Sequence, residues 1–214
     1  MRPRDAATLI IVRNQREVLL GVRSAGHVFM PHMYVFPGGR VDAGDARVPC
    51  PVALRPEVEG KLLQSTTAAR ARALAMTAVR ETFEETGLLV GTACDYPLRT
   101  RSPHWQPFFA RNIAPALDKL DYVARAITPP NRVRRYDARF FMVDAKHVTG
   151  ELVGNGELED LRWVTLPAAR RLALSPITEL VLNLLERRLT GVPEDPGKIP
   201  FYHELNGKEL IDYE

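Results

Sequence analysis

Three glutamates in one predicted helix are the side chains of this chain whose type and spacing best suit metal chemistry. Residues 67–86 are rich in strong helix formers, and Gly87 stands where a helix commonly ends. At about 100° per residue, Glu81, Glu84 and Glu85 fall within one arc of that helix. Carboxylates this close repel one another in water, and a hard cation that prefers oxygen ligands, such as Mg²⁺, reverses the repulsion. The triplet predicts a metal site that also holds substrate phosphates, with a solvated helix face as the alternative.

The residues around the triplet favour the metal site over the solvated face. Arg80 precedes the triplet, Gly87 and Leu88 follow it, and the run FPGGRVD stands upstream at residues 36–42. Together these residues resemble the Nudix box. The pattern of that box is a glycine, five residues, a glutamate, seven residues and then REUxEExGU, where U is aliphatic or aromatic.

The chain departs from the Nudix box at three points. Thr82 stands at the first U position, and with Gly39 as the box glycine Asp45 stands where the pattern has glutamate. The larger departure is that 34 residues, 46–79, separate Asp45 from the second half, where the pattern has seven. Lengthening a loop costs little free energy, so the two halves can still meet in space.

The interrupted box is similar to one branch of the superfamily, the coenzyme A diphosphatase-like Nudix proteins and their bacterial relatives. The similarity rests on FMPxxxVFPGGxxD before the interruption and RETFEETGLL after it, and it continues through residues 127–130, 135–141 and 157–164. It covers most of residues 7–190. The resemblance implies an α/β fold, an α/β/α sandwich with a mixed central sheet. It also implies metal-dependent hydrolysis of a diphosphate linkage in a nucleoside diphosphate derivative, with coenzyme A or acyl-coenzyme A as the first substrates to test.

The resemblance also assigns roles to individual residues around the metal. Glu84 and Glu85 are the expected principal ligands of Mg²⁺ or Mn²⁺, and Glu81 is a further ligand or the group that activates water. The backbone carbonyl of Gly39 is expected to complete the ligand shell. Arg80 is expected to orient the glutamates through a salt bridge.

Further candidates lie downstream of the box. Glu157 or Glu159, just before a predicted strand, stands where many relatives supply a distal catalytic glutamate, and exposed loop charge is the alternative. Arg132, Arg134 and Arg135 form a basic cluster suited to binding a substrate phosphate, with solvated surface as the alternative.

Two other functions remain open at this point. A non-catalytic nucleotide-binding or regulatory Nudix-fold module is the first, although all three helix glutamates are present. Cleavage at the 5′ end of RNA is the second, but the chain lacks a basic stripe with interleaved aromatic residues. Trp105, Phe108 and Phe109 suit either stacking on a base or a local core.

The patterning predicts several elements and leaves residues 90–136, which are interrupted by prolines, without a clear assignment. The predictions are strands at 7–13 and 17–23 forming a hairpin, a short helix at 57–63, strands at 139–143 and 161–164, and one or two helices across 167–189 broken at Ser175–Pro176.

Length and composition set the broad class. With 214 residues and 45% hydrophobic residues, we expect one Nudix hydrolase domain over residues 1–190, with an insertion at about 46–72, and a polar C-terminal extension over 191–214. The insertion has three open roles: to lie over the substrate, to serve a dimer interface, or to do neither. The net charge of +3, the absence of a long apolar run and only two cysteines predict a cytoplasmic protein. Its expected partner is a small nucleotide-type substrate rather than nucleic acid or a membrane, and a homodimer is a further expectation.

Overall fold

The structure, a computed structural model, describes residues 2–26, 30–192 and 197–214. The chain opens with the predicted hairpin, in which β1 (Arg4–Arg13) pairs antiparallel with β2 (Glu17–Arg23). Asn14 and Gln15 between them both have positive φ, 53° and 54°. Two successive left-handed residues match the twist of the paired strands and allow the tight turn.

The other elements follow in chain order. They are β3 (Tyr34–Val35), β4 (Gly38–Arg40), α1 (Pro56–Leu63), α2 (Ala68–Thr86), β5 (Leu89–Ala93), α3 (Gln106–Phe109), β6 (Ile113–Pro115), β7 (Asp121–Ile127), β8 (Tyr136–Asp144), β9 (Val148–Thr149), β10 (Leu158–Thr165), α4 (Leu166–Ala169), α5 (Pro176–Leu189), β11 (Pro200–Leu205) and β12 (Lys208–Tyr213).

A mixed sheet forms the centre of the fold. Among the described residues nine strands belong to it, in the order β10-β2-β1-β8-β7-β11-β12, with β3 beside β2 and β4 beside β1. The pairs β1–β8 and β7–β11 are parallel, and the other pairs are antiparallel. A separate sheet has the order β6-β5-β9.

Helices cover both faces of the central sheet. Alternate residues of β1 point to opposite faces: Leu9 and Ile11 pack in the cluster that contains α2, whereas Ile10 and Val12 pack in the cluster that contains α5. A strand buried on both faces reads as a continuous apolar run, as here. The architecture is the α/β/α sandwich with a mixed sheet that the sequence predicted.

The insertion is part of the core rather than a loop that bulges outward. Val48, Leu54, Val58 and Leu62 are buried in the same cluster as α2, and the predicted short helix is α1. Arg72 of α2 also donates hydrogen bonds to the backbone carbonyls of Ala46, at 2.6 Å, and Val48. The interruption therefore packs against the helix that it precedes.

The segment expected as a polar extension forms two strands at the sheet edge. Within residues 191–214, of which 193–196 lie outside the described residues, β11 and β12 form a hairpin whose turn residues Asn206 and Gly207 have φ of 53° and 77°. Strand β11 pairs with β7 of the central sheet. No helix in the described ranges combines the length and apolar character needed to cross a membrane.

Candidate active site

Helix α2 carries the glutamates and is fixed at both ends. The Thr67 side chain accepts a hydrogen bond from the N–H of Arg70 at the N-terminus, and Gly87 ends the helix in the left-handed conformation, with φ of 74°. Ala71, Leu74 and other apolar residues of the helix pack on β1 of the central sheet. This packing places the last two helical turns of α2 beside β4.

The two glycines of β4 allow that close approach. A Cβ placed on Gly38 would lie 2.5 Å from the carbonyl oxygen of Ala7. A Cβ placed on Gly39 would overlap the Glu81 carboxylate, with Oε1 at 2.5 Å. Any side chain at these positions would therefore displace β1 or the glutamate, which gives the double glycine a physical reason.

Arg80 holds three carboxylates and one carbonyl from a buried position. Its Nη1 donates to Glu81 Oε1 and to Glu84 Oε2, both at 2.8 Å, and its Nη2 donates to the carbonyl of Arg40 at 3.0 Å. Its Nε and Nη2 each donate to Asp45 at 3.0 Å. The salt bridge implied for Arg80 is therefore present, to both Glu81 and Glu84. Burial works against the charge, but the hydrogen bonds and the carboxylate charges raise the pKa of the guanidinium above its ordinary value.

Asp45 is fully buried and accepts hydrogen bonds from every side. Besides Arg80, its donors are Trp105 Nε1 at 2.7 Å, Thr77 Oγ1 at 2.8 Å and the backbone N–H of Asp42 at 2.9 Å. Burial raises its pKa, but the Arg80 bonds and charge and the other donors outweigh that effect and hold the pKa below the ordinary value. The carboxylate at the first acidic position of the box, Asp45, thus fixes Arg80 and has no open side for a ligand.

Glu85 and Glu81 have raised pKa values, in contrast to Asp45. Glu85 is 3% exposed, and its Oε2 accepts the backbone N–H of Gly38 at 2.8 Å. Burial, and then the charge of Glu81, raise its pKa well above the ordinary value. Burial also raises the pKa of Glu81, and the charges of Glu84 and Glu157 add to that effect. Negative charge at this place is unfavourable without a cation.

Glu84 is held by Arg80 and His104 at the flank of the other two glutamates. Its Oε2 is bound to Arg80, and its Oε1 lies 3.1 Å from Nδ1 of His104. It is not among the residues that line the adjoining cavity, whereas Glu81 and Glu85 are. The structure therefore brings Glu81, Glu85 and Gly39 together and leaves Glu84 on the flank. His104 was not found from the sequence, because nothing near it in the chain indicates the contact.

The donor set of the site fits a hard divalent cation. In the part of the chain that the structure describes, no three His, Cys, Asp or Glu side chains converge as a ready-made metal site. Magnesium commonly takes only one or two carboxylates and completes its shell with water and substrate phosphate. Glu81 and Glu85 supply two desolvated carboxylates, and the backbone of Gly39 lies against the first of them.

A cavity of about 710 Å³ adjoins these carboxylates. Its charged wall includes the predicted residues Arg132, Arg134, Arg135 and Glu157, whereas Glu159 is not among the lining residues. Apolar side chains line another part of the cavity: Val35, Phe36, Ile127, Val133, Phe140 and Ile177. The volume and the mixture of apolar wall with a few charged groups are typical of a small-molecule site.

The C-terminal hairpin also contributes to the cavity wall. Tyr202 of β11 and Glu209 of β12 both line the cavity. Burial, and then a hydrogen bond to Glu209, raise the pKa of the Tyr202 phenol. Neither residue is predicted from the sequence, although Asn206–Gly207 is a strong local signal for a hairpin.

The three aromatic residues near α3 belong to the core and not to the cavity beside the glutamates. Trp105 and Phe108 are fully buried, and Phe109 is nearly so. Trp105 stacks on Phe109 with ring centroids 5.6 Å apart, and Phe108 meets Phe83 of α2 edge-on at 5.4 Å. The expectation that these residues could stack on a substrate base is therefore wrong, because other core residues already cover their ring faces.

Comparison with solved structures identifies the fold. A NUDIX hydrolase from Alicyclobacillus acidocaldarius is 28% identical to this chain, with 86% of this chain and 91% of that one covered and a TM-score of 0.64. The chain has the Nudix fold. A MutT protein from Bacillus halodurans (16% identity, 99% and 96% covered, TM-score 0.52) and one from Methanosarcina mazei (15%, 87% and 96%, 0.52) have the same fold. No family model matches the chain, and no curated protein matches it.

These similarities support the Nudix superfamily and a hydrolase that acts on phosphorus-containing acid anhydrides. They do not distinguish the branch with the interrupted box from other branches.

Proposed function

We propose that this protein is a metal-dependent diphosphatase that hydrolyses a nucleoside diphosphate derivative, with coenzyme A or acyl-coenzyme A as the first substrates to test. The observation that carries the proposal is that two desolvated carboxylates, Glu81 and Glu85, share one cavity with the arginines of the β7–β8 loop. Buried carboxylates with raised pKa values and a basic wall are what a cation and a diphosphate require together. The choice of coenzyme A rests on the resemblance of the interrupted box.

Glu81 and Glu85, with the carbonyl of Gly39, would hold Mg²⁺ or Mn²⁺ on the cavity side of α2. A divalent cation bound there supplies charge neutralisation for the diphosphate and lowers the pKa of the attacking water. Glu84 would join this set only by giving up its contact with Arg80 or His104. Arg80 orients the neighbouring carboxylates of Glu81 and Glu84 through its buried guanidinium.

Glu157 is the residue that we assign to proton transfer from water. It lines the cavity, and its charge acts on both Glu81 and Glu85. A carboxylate in this position can accept a proton from a water molecule that attacks the diphosphate. Glu159 is not assigned this role, because it does not line the cavity.

The remaining cavity residues would bind the rest of the substrate. Arg132, Arg134 and Arg135 can donate charge-assisted hydrogen bonds to phosphate oxygens. The apolar wall offers a surface for a base or an acyl chain, and Tyr202 with Glu209 offers a phenol and a carboxylate for polar groups. This division matches a ligand with a charged centre and less polar ends.

A substrate panel with product identification tests the proposal. Purified protein is incubated with Mg²⁺ or Mn²⁺ and coenzyme A, acetyl-coenzyme A, ADP-ribose, NADH or a dinucleoside polyphosphate. We expect cleavage of a diphosphate bond, strong loss of activity in Glu85→Gln and unchanged activity in Glu151→Gln, an exposed glutamate outside the cavity. Tight binding of a nucleotide that stays intact with either metal would instead support the non-catalytic module.

Two expectations from the sequence stay predictions. They are the homodimer, and the division into a domain of residues 1–190 and an extension. Sedimentation of the purified protein tests the first.

A further inference from the structure

Trp105 reaches the glutamate helix through a buried hydrogen bond. Its indole is fully buried, and Nε1–H donates to Asp45 Oδ1 at 2.7 Å. The same oxygen accepts Nε of Arg80 at 3.0 Å. The indole and the guanidinium therefore fix one carboxylate from two directions by direct hydrogen bonds.

Arg80 extends this contact to two glutamates of α2, Glu81 at the cavity and Glu84 on its flank. Its Nη1 donates to both Glu81 and Glu84, so Trp105 is separated from these carboxylates by only Asp45 and Arg80. Asp45 is one methylene shorter than the glutamate that the box pattern has at this position. Because the aspartate side chain is shorter, its carboxylate can shift less to stay in contact with Arg80. The hydrogen bond from Trp105 holds this carboxylate where Arg80 binds it.

The surroundings of Trp105 make its position rigid. It stacks on Phe109 and meets Phe108 edge-on, and Phe108 meets Phe83 on the same helix as the glutamates. His104, the preceding residue, contacts Glu84. The segment between β5 and β6 is thus attached to α2 by packing on one side and by polar contacts on the other.

We propose that Trp105 is a positioning residue of the active site, which acts through its indole N–H on Asp45 and Arg80 to hold Glu81 and Glu84. The inference rests on the proposed function, since it concerns the alignment of Glu81, one of the carboxylates that would bind a divalent cation, and of Glu84 beside it. It differs from a packing role because packing needs the ring, whereas positioning needs the N–H.

The variant Trp105→Phe separates the two roles. Phenylalanine keeps an aromatic ring in the cluster and removes the donor, while Asp45 keeps the donors on Arg80, Thr77 and Asp42. The fold is therefore expected to persist. Phe109→Leu is the matched control, because it weakens the same cluster without touching Asp45.

Four quantities are measured for the parent and both variants: kcat, substrate KM, the unfolding temperature, and the affinity for Mg²⁺ by calorimetry without substrate. For Trp105→Phe we expect kcat or Mg²⁺ affinity to fall about 10-fold or more, the range for partners that orient metal ligands, with substrate KM within about twofold. For Phe109→Leu we expect a lower unfolding temperature with kcat and Mg²⁺ affinity retained.

The outcomes distinguish this inference from the proposed function. A parent that hydrolyses substrate and binds Mg²⁺, with Trp105→Phe equal to it in kcat and affinity, overturns the positioning role and leaves the proposed function intact. So does an equal loss of kcat in both variants, since that result follows from packing alone. A parent that binds no Mg²⁺ and cleaves nothing overturns the proposed function and this inference with it.

Discussion

Replacement of Asp45 by asparagine should destabilise the protein strongly, although the side chains have the same shape. Oδ2 of Asp45 accepts from Thr77, from the backbone N–H of Asp42 and from Arg80, and Oδ1 accepts from Trp105 and Arg80. Asparagine has one oxygen and one NH₂ group. Whichever way its amide is turned, the NH₂ group faces at least two donors.

The magnitude follows from burial and charge. Leaving a buried donor without an acceptor costs about 1–3 kcal/mol, and breaking a buried ion pair costs about 3–5 kcal/mol in total. Arg80 keeps Glu81 and Glu84 as partners, which limits the loss. We expect Asp45→Asn to lower the free energy of unfolding by about 3–5 kcal/mol. In a protein of this length, that corresponds to an unfolding temperature about 6–20 °C lower.

Urea unfolding followed by circular dichroism measures this difference, with Asp144→Asn as the control. Asp144 is exposed and caps a short 3₁₀ turn, a role that asparagine also fills, so its variant should lie within about 1 kcal/mol of the parent. A difference below about 1 kcal/mol for Asp45→Asn at pH 7 would refute the assignment of Asp45 as the anchor of Arg80.

The pH dependence provides a second check on the same variant. The pKa of Asp45 is lowered in the folded protein, so the unfolded chain takes up the proton first as the pH falls. The contribution of its charge is complete above the ordinary aspartate pKa of about 4 and is lost as the pH falls through the folded pKa. The stability difference between parent and Asp45→Asn should therefore shrink below about pH 4. A difference that grows there would contradict the lowered pKa.

Three further predictions concern the cation and the cavity. Glu85→Gln should leave the metal-free protein at least as stable at pH 7, because burial, which raises the pKa of the Glu85 carboxyl, disfavours its charged form. The same variant should lower kcat at least about 100-fold, and urea unfolding and turnover measure the two effects. Mg²⁺ at about 100 times its Kd should stabilise the parent by about 2.7 kcal/mol and Glu85→Gln much less, and equal shifts in a thermal scan would exclude Glu85 as a ligand. Arg134→Ala should raise KM about tenfold with kcat retained, and an unchanged KM would make that arginine surface charge.

The elements with strong local signals were predictable from the sequence. The β1–β2 hairpin, α1, α2 with its stop at Gly87, and the break before α5 at Ser175–Pro176 all lie where the sequence places them. Each depends on residues a few positions apart: a polar turn, a helix cap or a proline in the first turn. Local chemistry of this kind does not require knowledge of the fold.

Other elements were missed although the chain carries a signal. Strand β7 was not predicted, because its short apolar run of Tyr122, Val123 and Ala124 lies between proline-rich stretches that indicate loops. Strand β12 of the C-terminal hairpin is polar and largely exposed because it is an edge strand, so composition alone suggested a tail. In that case the Asn206–Gly207 turn was a better guide than the polarity of the strands.

The polar connections of the site could not be read from the sequence. Trp105 lies 60 residues from Asp45, and His104 lies 20 residues from Glu84. Contacts at such distances depend on how the segment between β5 and β6 returns to α2. The box motif indicates which carboxylates matter, but it does not indicate what holds them.

The interruption of the box has a structural consequence for the site. Val58 and Leu62 of α1 are buried in the core under α2, and Arg72 of α2 binds carbonyls at the start of the insertion. None of residues 46–72 lines the cavity beside Glu81 and Glu85. The inserted chain therefore supports the glutamate helix without contributing to the wall of that cavity. Because Asp45 is the last residue before the insertion and Arg80 lies on α2, the helix that follows it, the ion pair between them fixes the start of the insertion to that helix. Arg80 thus both orients Glu81 and Glu84 and holds the start of the insertion. A loosely packed insertion would therefore disturb the glutamates as well.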